Sequence, residues 1–233
     1  MTAINVVILA AGLGTRLGLA EPKPLTPING KLSIVEEQLR KLDMVFPGHK
    51  TTIVVGHMAD RFDFLSSRAS LVLNADYATT NTAKSLLIGF QATEPGGVLW
   101  INGDVVFNAE VLRECGPLIV EDMSFAVVNE SEVEDEEVGY TTDANGVLTS
   151  IGKSIESAKG EAVGINYVSS KGKSVLLSLL HEAHRDDFFE GAMNLAAQSK
   201  TVRFRKVLVD NGDAVEVDTQ EDLVRAKKLF MER

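Results

Sequence analysis

Two spacings of apolar residues alternate along this chain. Short runs rich in β-branched residues, Ile4–Ala11, Thr51–Val55, Leu71–Leu73, Val98–Ile101 and Ser124–Val128, read as buried strands. Between them, apolar positions fall at helical spacing. Val35, Leu39 and Leu42 follow a Ser33…Glu36 capping box, and Leu86, Leu87 and Phe90 follow Asn81 as an N-cap. Val111, Leu112 and Cys115 mark a further helix. Strand and helix in alternation predict a mostly parallel sheet covered on both faces, an α/β/α sandwich. The stretch Gly12–Gly30 carries Pro22, Pro24 and Pro27, so it is expected to be one long loop.

The pattern changes after residue 130. Val138–Thr141 and Val147–Ile151 flank Asp143-Ala-Asn145-Gly146, a hairpin signal. Gly164–Ser169 reads as a strand, Lys173–His184 and Phe188–Gln198 as helices, and Val202–Val209 and Val215–Val217 as late strands. Thr219 is placed to cap a last helix with Leu223, Ala226, Lys227 and Phe230 at helical spacing. With no internal repeat and no long linker, residues 1–233 read as one domain. A small β-containing lobe, roughly 130–200, is expected beside the main sheet.

Composition narrows the function. A chain of 233 residues can bury a sizeable core without disulfides, and the lone Cys115 excludes a disulfide framework and a multi-cysteine zinc site. Cys115 itself reads as a small core residue, and Trp100 as core within its strand. Thirty-three acids against 23 Lys and Arg give a formal net charge of −10, which disfavours nucleic acid and anionic membranes as partners. No apolar run approaches about 18 residues, and the start has no basic, cleavable leader, so the cytoplasm is the expected location. The acidic run Glu130–Glu137 reads as a solvated loop. His181 and His184, three apart without a third ligand, read as an exposed helix face.

The most informative segment is Leu9-Ala10-Ala11-Gly12-Leu13-Gly14-Thr15-Arg16, followed by Pro22-Lys23-Pro24-Leu25. It is not a P-loop, which needs G-x-x-x-x-G-K-S/T, because no lysine follows Gly18. Nor is it a dinucleotide fingerprint: position 17 should be glycine and is Leu17, and the prolines deny the following helix. What remains is a glycine-rich loop that wraps a triphosphate with backbone N–H groups. Arg16 would add a fork for phosphate oxygens and Lys23 a mobile point charge.

These residues resemble the signature of the nucleotidyltransferases, L-A-A-G-x-G-S/T-R followed by P-K-P/A-L. Those enzymes join a nucleoside triphosphate to a phosphorylated acceptor and release pyrophosphate. The resemblance extends over nearly the whole chain. It implies a Rossmann-like three-layer fold with a mixed, mainly parallel sheet. It implies Asp104 in Asn102-Gly103-Asp104 and Asp218 in Val215-Glu-Val-Asp218-Thr as Mg²⁺ ligands. It also implies a nucleotide site at Leu9–Arg16 with Lys23, Asn81, Thr82, Ser85 and Asp104, and an acceptor site at Lys153 and Glu161. The catalytic set is then Lys23, Arg16, Asp104 and Asp218. The segment Asn74–Leu86 leans toward the cytidylyltransferases of phosphocholine and phosphonates. Lys84 stands there in place of an expected aromatic residue, so it is assigned to an acceptor with an extra carboxylate or several hydroxyls.

The physics agrees. Ligands of open α/β sheets bind beyond the carboxyl ends of the strands, where Asp104 and Asp218 both lie, and two carboxylates suit Mg²⁺. The expected activity is transfer of CMP from CTP to a small phospho- or phosphono-acceptor by a monomer or homodimer. Two alternatives remain open: a sugar-1-phosphate nucleotidyltransferase using UTP, GTP or dTTP, and a non-catalytic nucleotide-binding module on the same fold. A molybdenum-cofactor transferase shares only the opening motif.

Overall fold

The computed structural model describes residues 3–14, 21–30, 32–133 and 137–231. In chain order its first half comprises β1 (Asn5–Ala10), β2 (Pro27–Asn29), β3 (Leu32–Ser33), α1 (Ile34–Val45), β4 (Lys50–Val55), β5 (Ser70–Leu73), α2 (Thr82–Gln91), β6 (Val98–Asn102), β7 (Val105–Phe107) and α3 (Ala109–Val120). There follow β8 (Phe125–Val128), β9 (Gly139–Thr142), β10 (Leu148–Gly152), β11 (Ala162–Val168), α4 (Ser170–Glu182), α5 (Phe189–Gln198), β12 (Arg205–Leu208), β13 (Ala214–Glu216) and α6 (Gln220–Met231).

Seven strands form the central sheet in the order β12-β8-β11-β6-β1-β4-β5. All neighbours are parallel except β11, which runs against both β6 and β8. The sheet is therefore mixed and mainly parallel, as expected. Successive side chains of a strand point to opposite faces, and β1 shows why two helical layers are needed. Val6, Ile8 and Ala10 pack with Leu39 and Leu42 of α1 and Leu112 of α3. Val7 and Leu9 pack with Leu86 of α2, Leu180 of α4 and Met193 of α5. Trp100 and Cys115 are fully buried, as the sequence suggested.

The capping box at Ser33 is present: Glu36 Oε2 accepts from the Ser33 N–H at 2.9 Å and from its hydroxyl at 2.6 Å. The hairpin β9–β10 is also present, antiparallel, with the Asp143 carboxylate accepting from the Asn145 and Val147 N–H groups.

Three expectations change. Gly12–Gly30 is not a continuous loop. Lys23–Leu25 form a 3₁₀ turn, and β2 pairs with β3. The late strand shrinks from Val202–Val209 to β12. The segment 130–200 is split: β9 and β10 form a hairpin backed by α5, but β11 is inserted deep in the main sheet.

That insertion matters for function. The chain builds outward from β1 through β4 to β5, then returns to the other side of β1 with β6. The reversal opens a crevice at the carboxyl ends of β1 and β6. Because β11 is antiparallel, with Ile165 opposite Ile101, its starting residues extend past the end of β6 into this crevice. A separate ribbon, β7 with β13, pairs Val105 with Glu216 and carries the end of β13 to the same place.

Candidate active site

Leu9, Ala10 and Ala11 are buried at the end of β1, and the chain turns out of the sheet at Gly12. Gly14 sits at φ +60°, and a Cβ there would meet Lys23 Cγ at 3.0 Å, so glycine lets the loop close onto the Lys23 stem. Leu13 is exposed. Thr15 and Arg16 lie outside the described residues.

Lys23 opens its 3₁₀ turn, with the Leu25 N–H bonded to Pro22 O at 2.8 Å and the Thr26 N–H to Lys23 O at 2.9 Å. The turn aims a buried ammonium at two carboxylates. Lys23 Nζ donates to Asp218 Oδ1 and lies 3.6 Å from Asp104 Oδ2. Asp104 occupies the β6–β7 turn, and its carbonyl accepts from the Val217 N–H at 3.0 Å, which fixes Asp218 beside it.

Glu216 completes the cluster. Ligand oxygens of Asp104, Glu216 and Asp218 lie within 4.8 Å of one another. Burial raises the Asp104 carboxyl above its usual range; Lys23 opposes this and Asp218 adds to it. Glu216 is raised well above its usual range by burial first, then by Asp104 and Asp218. The charged forms of Asp104 and Glu216 are thus disfavoured, and with Asp218 they make a group of three carboxylates close enough together to hold a cation. The sequence reading chose Asp104 and Asp218 but passed over Glu216. The signal was present: in Val215-Glu216-Val217-Asp218 the two acids are two apart and share a strand face.

Two chambers meet at this cluster. The first, about 290 Å³, is lined by Ala11, Gly12, Gly14, Lys23 and the start of α2. Asn81 Oδ1 accepts from the Thr82 N–H at 2.9 Å, and Asp187 O accepts from the Ala83 N–H at 3.2 Å. The start of α2 is thus already capped and suits a base or ribose better than a phosphate. Ser85 Oγ accepts from the buried Asn74 Nδ2 at 3.0 Å, and Thr82 Oγ1 accepts from the Phe189 N–H at 3.1 Å. Asn74 and Tyr77, near neighbours of the assigned residues, are the supports that sequence reasoning did not assign.

The second chamber, about 220 Å³, is lined by Lys153, Glu161, Phe188 and Glu190, among others. Thr82, Asn102, Phe188, Glu216 and Asp218 border both chambers. Lys153 Nζ stands 4.8 Å from the Phe188 ring centroid, a cation–π contact. Glu161 accepts from Asn129 Nδ2 at 3.1 Å, and burial pushes its carboxyl upward. Glu190 is buried, with its carboxyl pushed up to about 7 by desolvation.

Lys84 does not reach either chamber. Its ammonium donates to the carbonyls of Leu180 at 3.2 Å and His181 at 3.0 Å, at the last turn of α4. It ties α2 to α4 and complements the negative end of that helix.

Residues 6–185 match the MobA-like NTP transferase domain. The chain belongs to that family. This nucleotidyltransferase is 27% identical over 189 residues to a 2-aminoethylphosphonate cytidylyltransferase of Lancefieldella rimae, covering 78% of this chain and 74% of the relative. It is 34% identical over 119 residues to a CMP-5'-(3-aminopropyl)phosphonate synthase of Streptomyces rubellomurinus, 47% of this chain but 18% of that protein. Its fold matches the CTP:phosphocholine cytidylyltransferase of Streptococcus pneumoniae at a TM-score of 0.77 and 20% identity, covering 97% of this chain and 99% of the other. The inositol-1-phosphate CTP transferase of T. maritima matches at 0.79 and 18%, covering 98% and 97%. Among the described residues no helix is long and apolar enough to cross a membrane.

Proposed function

We propose that this nucleotidyltransferase moves CMP from CTP to a small phosphonate- or phosphate-bearing acceptor and releases pyrophosphate, in a Mg²⁺-dependent reaction. One observation carries the reading. The carboxylate cluster and Lys23 stand at the junction of the two chambers, where a nucleotide α-phosphate in one would meet an acceptor oxygen in the other. One feature supports the choice of donor and acceptor: the relatives named above include two cytidylyl-phosphonate enzymes.

The acceptor oxygen is already anionic near neutral pH, so the chain need supply no general base. Its work is positioning and charge neutralisation. Lys23 stabilises charge on the α-phosphate, and the amides of the Gly12–Gly14 loop, with Arg16, hold the departing pyrophosphate. Lys153 offsets repulsion between the two anions. Asp104, Glu216 and Asp218 have the oxygen donors that Mg²⁺ prefers, and the ion would add charge neutralisation at the phosphates.

The test is pyrophosphate release with CTP, UTP, GTP, dTTP or ATP, each with Mg²⁺, against a panel of phosphonates, phosphoalcohols and sugar 1-phosphates. The expected result is release with CTP and a short acceptor. Release only with UTP, GTP or dTTP and a sugar 1-phosphate would replace this reading. Activity surviving Asp104→Ala combined with Asp218→Ala would refute the metal assignment.

A further inference from the structure

We propose that Glu190 is the residue that reads the acceptor, its carboxylate accepting hydrogen bonds from a primary ammonium at the end of the acceptor remote from its phosphorus. This rests on the cytidylyl-transfer reading and adds the group that selects the acceptor.

Glu190 lies in the first turn of α5 and is 7% exposed, yet its Oε2 has no hydrogen-bond partner among the described residues. Buried polar atoms in native proteins are nearly always partnered, so an orphaned carboxylate oxygen on a residue that lines the chamber lacks a donor that a ligand can supply. Three other carboxylates of the chamber are engaged. Glu161 holds Asn129, Asp222 accepts from the Thr219 N–H at 2.8 Å, and Asp218 holds Lys23. Glu190 is the chamber's carboxylate with a buried, unpartnered oxygen.

Charge points the same way. Glu137, Glu161, Glu190 and Asp222 line this chamber in addition to the metal cluster, against Lys153 and Arg225. A simple phosphonate dianion would enter an acidic cavity, whereas a zwitterion brings its own compensating cation. An ammonium beside Glu190 would also draw its carboxyl, raised by burial, back to the charged form.

The geometry further selects the kind of cation. A quaternary ammonium has no N–H with which to satisfy Oε2. The aromatic face it would use, that of Phe188, is already covered by Lys153. Lys84, which on sequence grounds pointed to an acceptor with an extra carboxylate or several hydroxyls, is held at the end of α4 instead.

The experiment measures kcat and KM for 2-aminoethylphosphonate, ethylphosphonate and 2-(trimethylammonio)ethylphosphonate, with CTP and Mg²⁺. It uses the wild-type protein, Glu190→Gln and Glu190→Asp, with calorimetric CTP binding as the check that each variant is folded. The wild type should prefer the primary amine over both others by about tenfold or more, the scale of a charge-assisted hydrogen bond. Glu190→Gln should abolish that preference through KM, and Glu190→Asp, which keeps the charge, should retain part of it. Discrimination unchanged in Glu190→Gln, or an equal loss with all three acceptors, overturns the assignment of Glu190 alone. No turnover by the wild type with any acceptor overturns the cytidylyl-transfer reading, and this inference with it.

Discussion

Lys23 Nζ lies 3.6 Å from Asp104 Oδ2 while donating a hydrogen bond to Asp218, so one ammonium bridges the two acids at one end of the β7–β13 ribbon, one before β7 and one after β13. That cation is the sole positive group lining the junction among the described residues. Removing it should affect chemistry far more than binding. Lys23→Ala is expected to lower turnover at saturating CTP by about 10²–10³, the usual loss for one charge-stabilising group. Single-turnover kinetics measures this directly. A fall of less than about threefold would take Lys23 out of the mechanism.

Glu216 should show opposite effects on stability and activity. Its charged form is strongly disfavoured, by burial first and then by Asp104 and Asp218. Glu216→Gln removes one buried like charge, so the metal-free protein should become more stable, by about 1 kcal/mol or more. The same change removes a ligand from the cation site. Mg²⁺-dependent pyrophosphate release should fall at least about tenfold, on the scale reported for perturbed metal sites. Denaturant unfolding and a Mg²⁺ titration check the two halves. Lower stability together with normal Mg²⁺ dependence would exclude Glu216 from the cation site.

The sequence showed more of the fold than of the site, for a physical reason. β1, β4 and β6 are apolar on both faces, and α1 and α2 carry caps, so local pattern sufficed to find them. The antiparallel placement of β11 has no local signature. It follows from which sheet position buries Ile165 and Tyr167 best, and only that placement carries Glu161 and Ala162 into the cleft. In the ribbon of β7 and β13 the Val215–Val217 pattern shows the second strand, but three-residue β7 has no signature of its own and nothing local shows that the two pair to deliver Glu216. The contacts of Lys84 with the end of α4 were not legible, because a lysine on a helix looks the same in sequence whether it meets a ligand or the end of a neighbouring helix. Glu190 fell within a helix of ordinary composition, and only its burial reveals it.

Lys84 offers a clean separation of those two roles. Its contacts are carbonyls at the end of α4. Lys84→Ala should cost ~0.5–1.5 kcal/mol of stability, the net worth of such a hydrogen bond, and leave acceptor KM within about twofold. Thermal unfolding and steady-state kinetics on one preparation test both. An acceptor KM raised tenfold with unchanged stability would return Lys84 to the acceptor site.

The pH dependence of stability should carry the mark of Glu190. Its carboxyl moves from an ordinary 4.5 to about 7 on folding, driven by desolvation. The folded state therefore binds the proton more tightly than the unfolded state, so stability falls as pH rises. The loss begins near the unfolded value and is complete above the folded one. Across that window, from 4.5 to about 7, the group accounts for roughly 3 kcal/mol at most. Asp104 and Glu216 shift in the same direction and steepen the slope. In acceptor-free protein Glu190→Gln should flatten the profile and be the more stable form at pH 8. Equal slopes for the two proteins between pH 5 and 8 would contradict this.

Gly103 is where the architecture and the chemistry are most tightly joined. Its N–H donates to Leu9 O at 2.9 Å, and a Cβ at this position would lie 2.5 Å from that same carbonyl oxygen and 2.9 Å from Pro24 Cγ. Neither neighbour can yield cheaply. Leu9 O is backbone at the end of the central strand, and Pro24 belongs to the rigid turn that aims Lys23. Gly103→Ala must therefore push the Asn102–Asp104 turn away from β1, and Asp104 moves with it. The expected cost is about 1–3 kcal/mol of stability, typical of overpacking. The kinetic effect should be larger than the stability loss alone explains, because catalysis of this kind depends on position to within about an ångström. Turnover in the folded fraction should fall about 10²-fold, with CTP binding weakened far less. The measurement is kcat at a temperature where circular dichroism shows the variant fully folded. A variant that is destabilised but turns over normally would mean that Asp104 tolerates displacement and does not need the close packing of this turn.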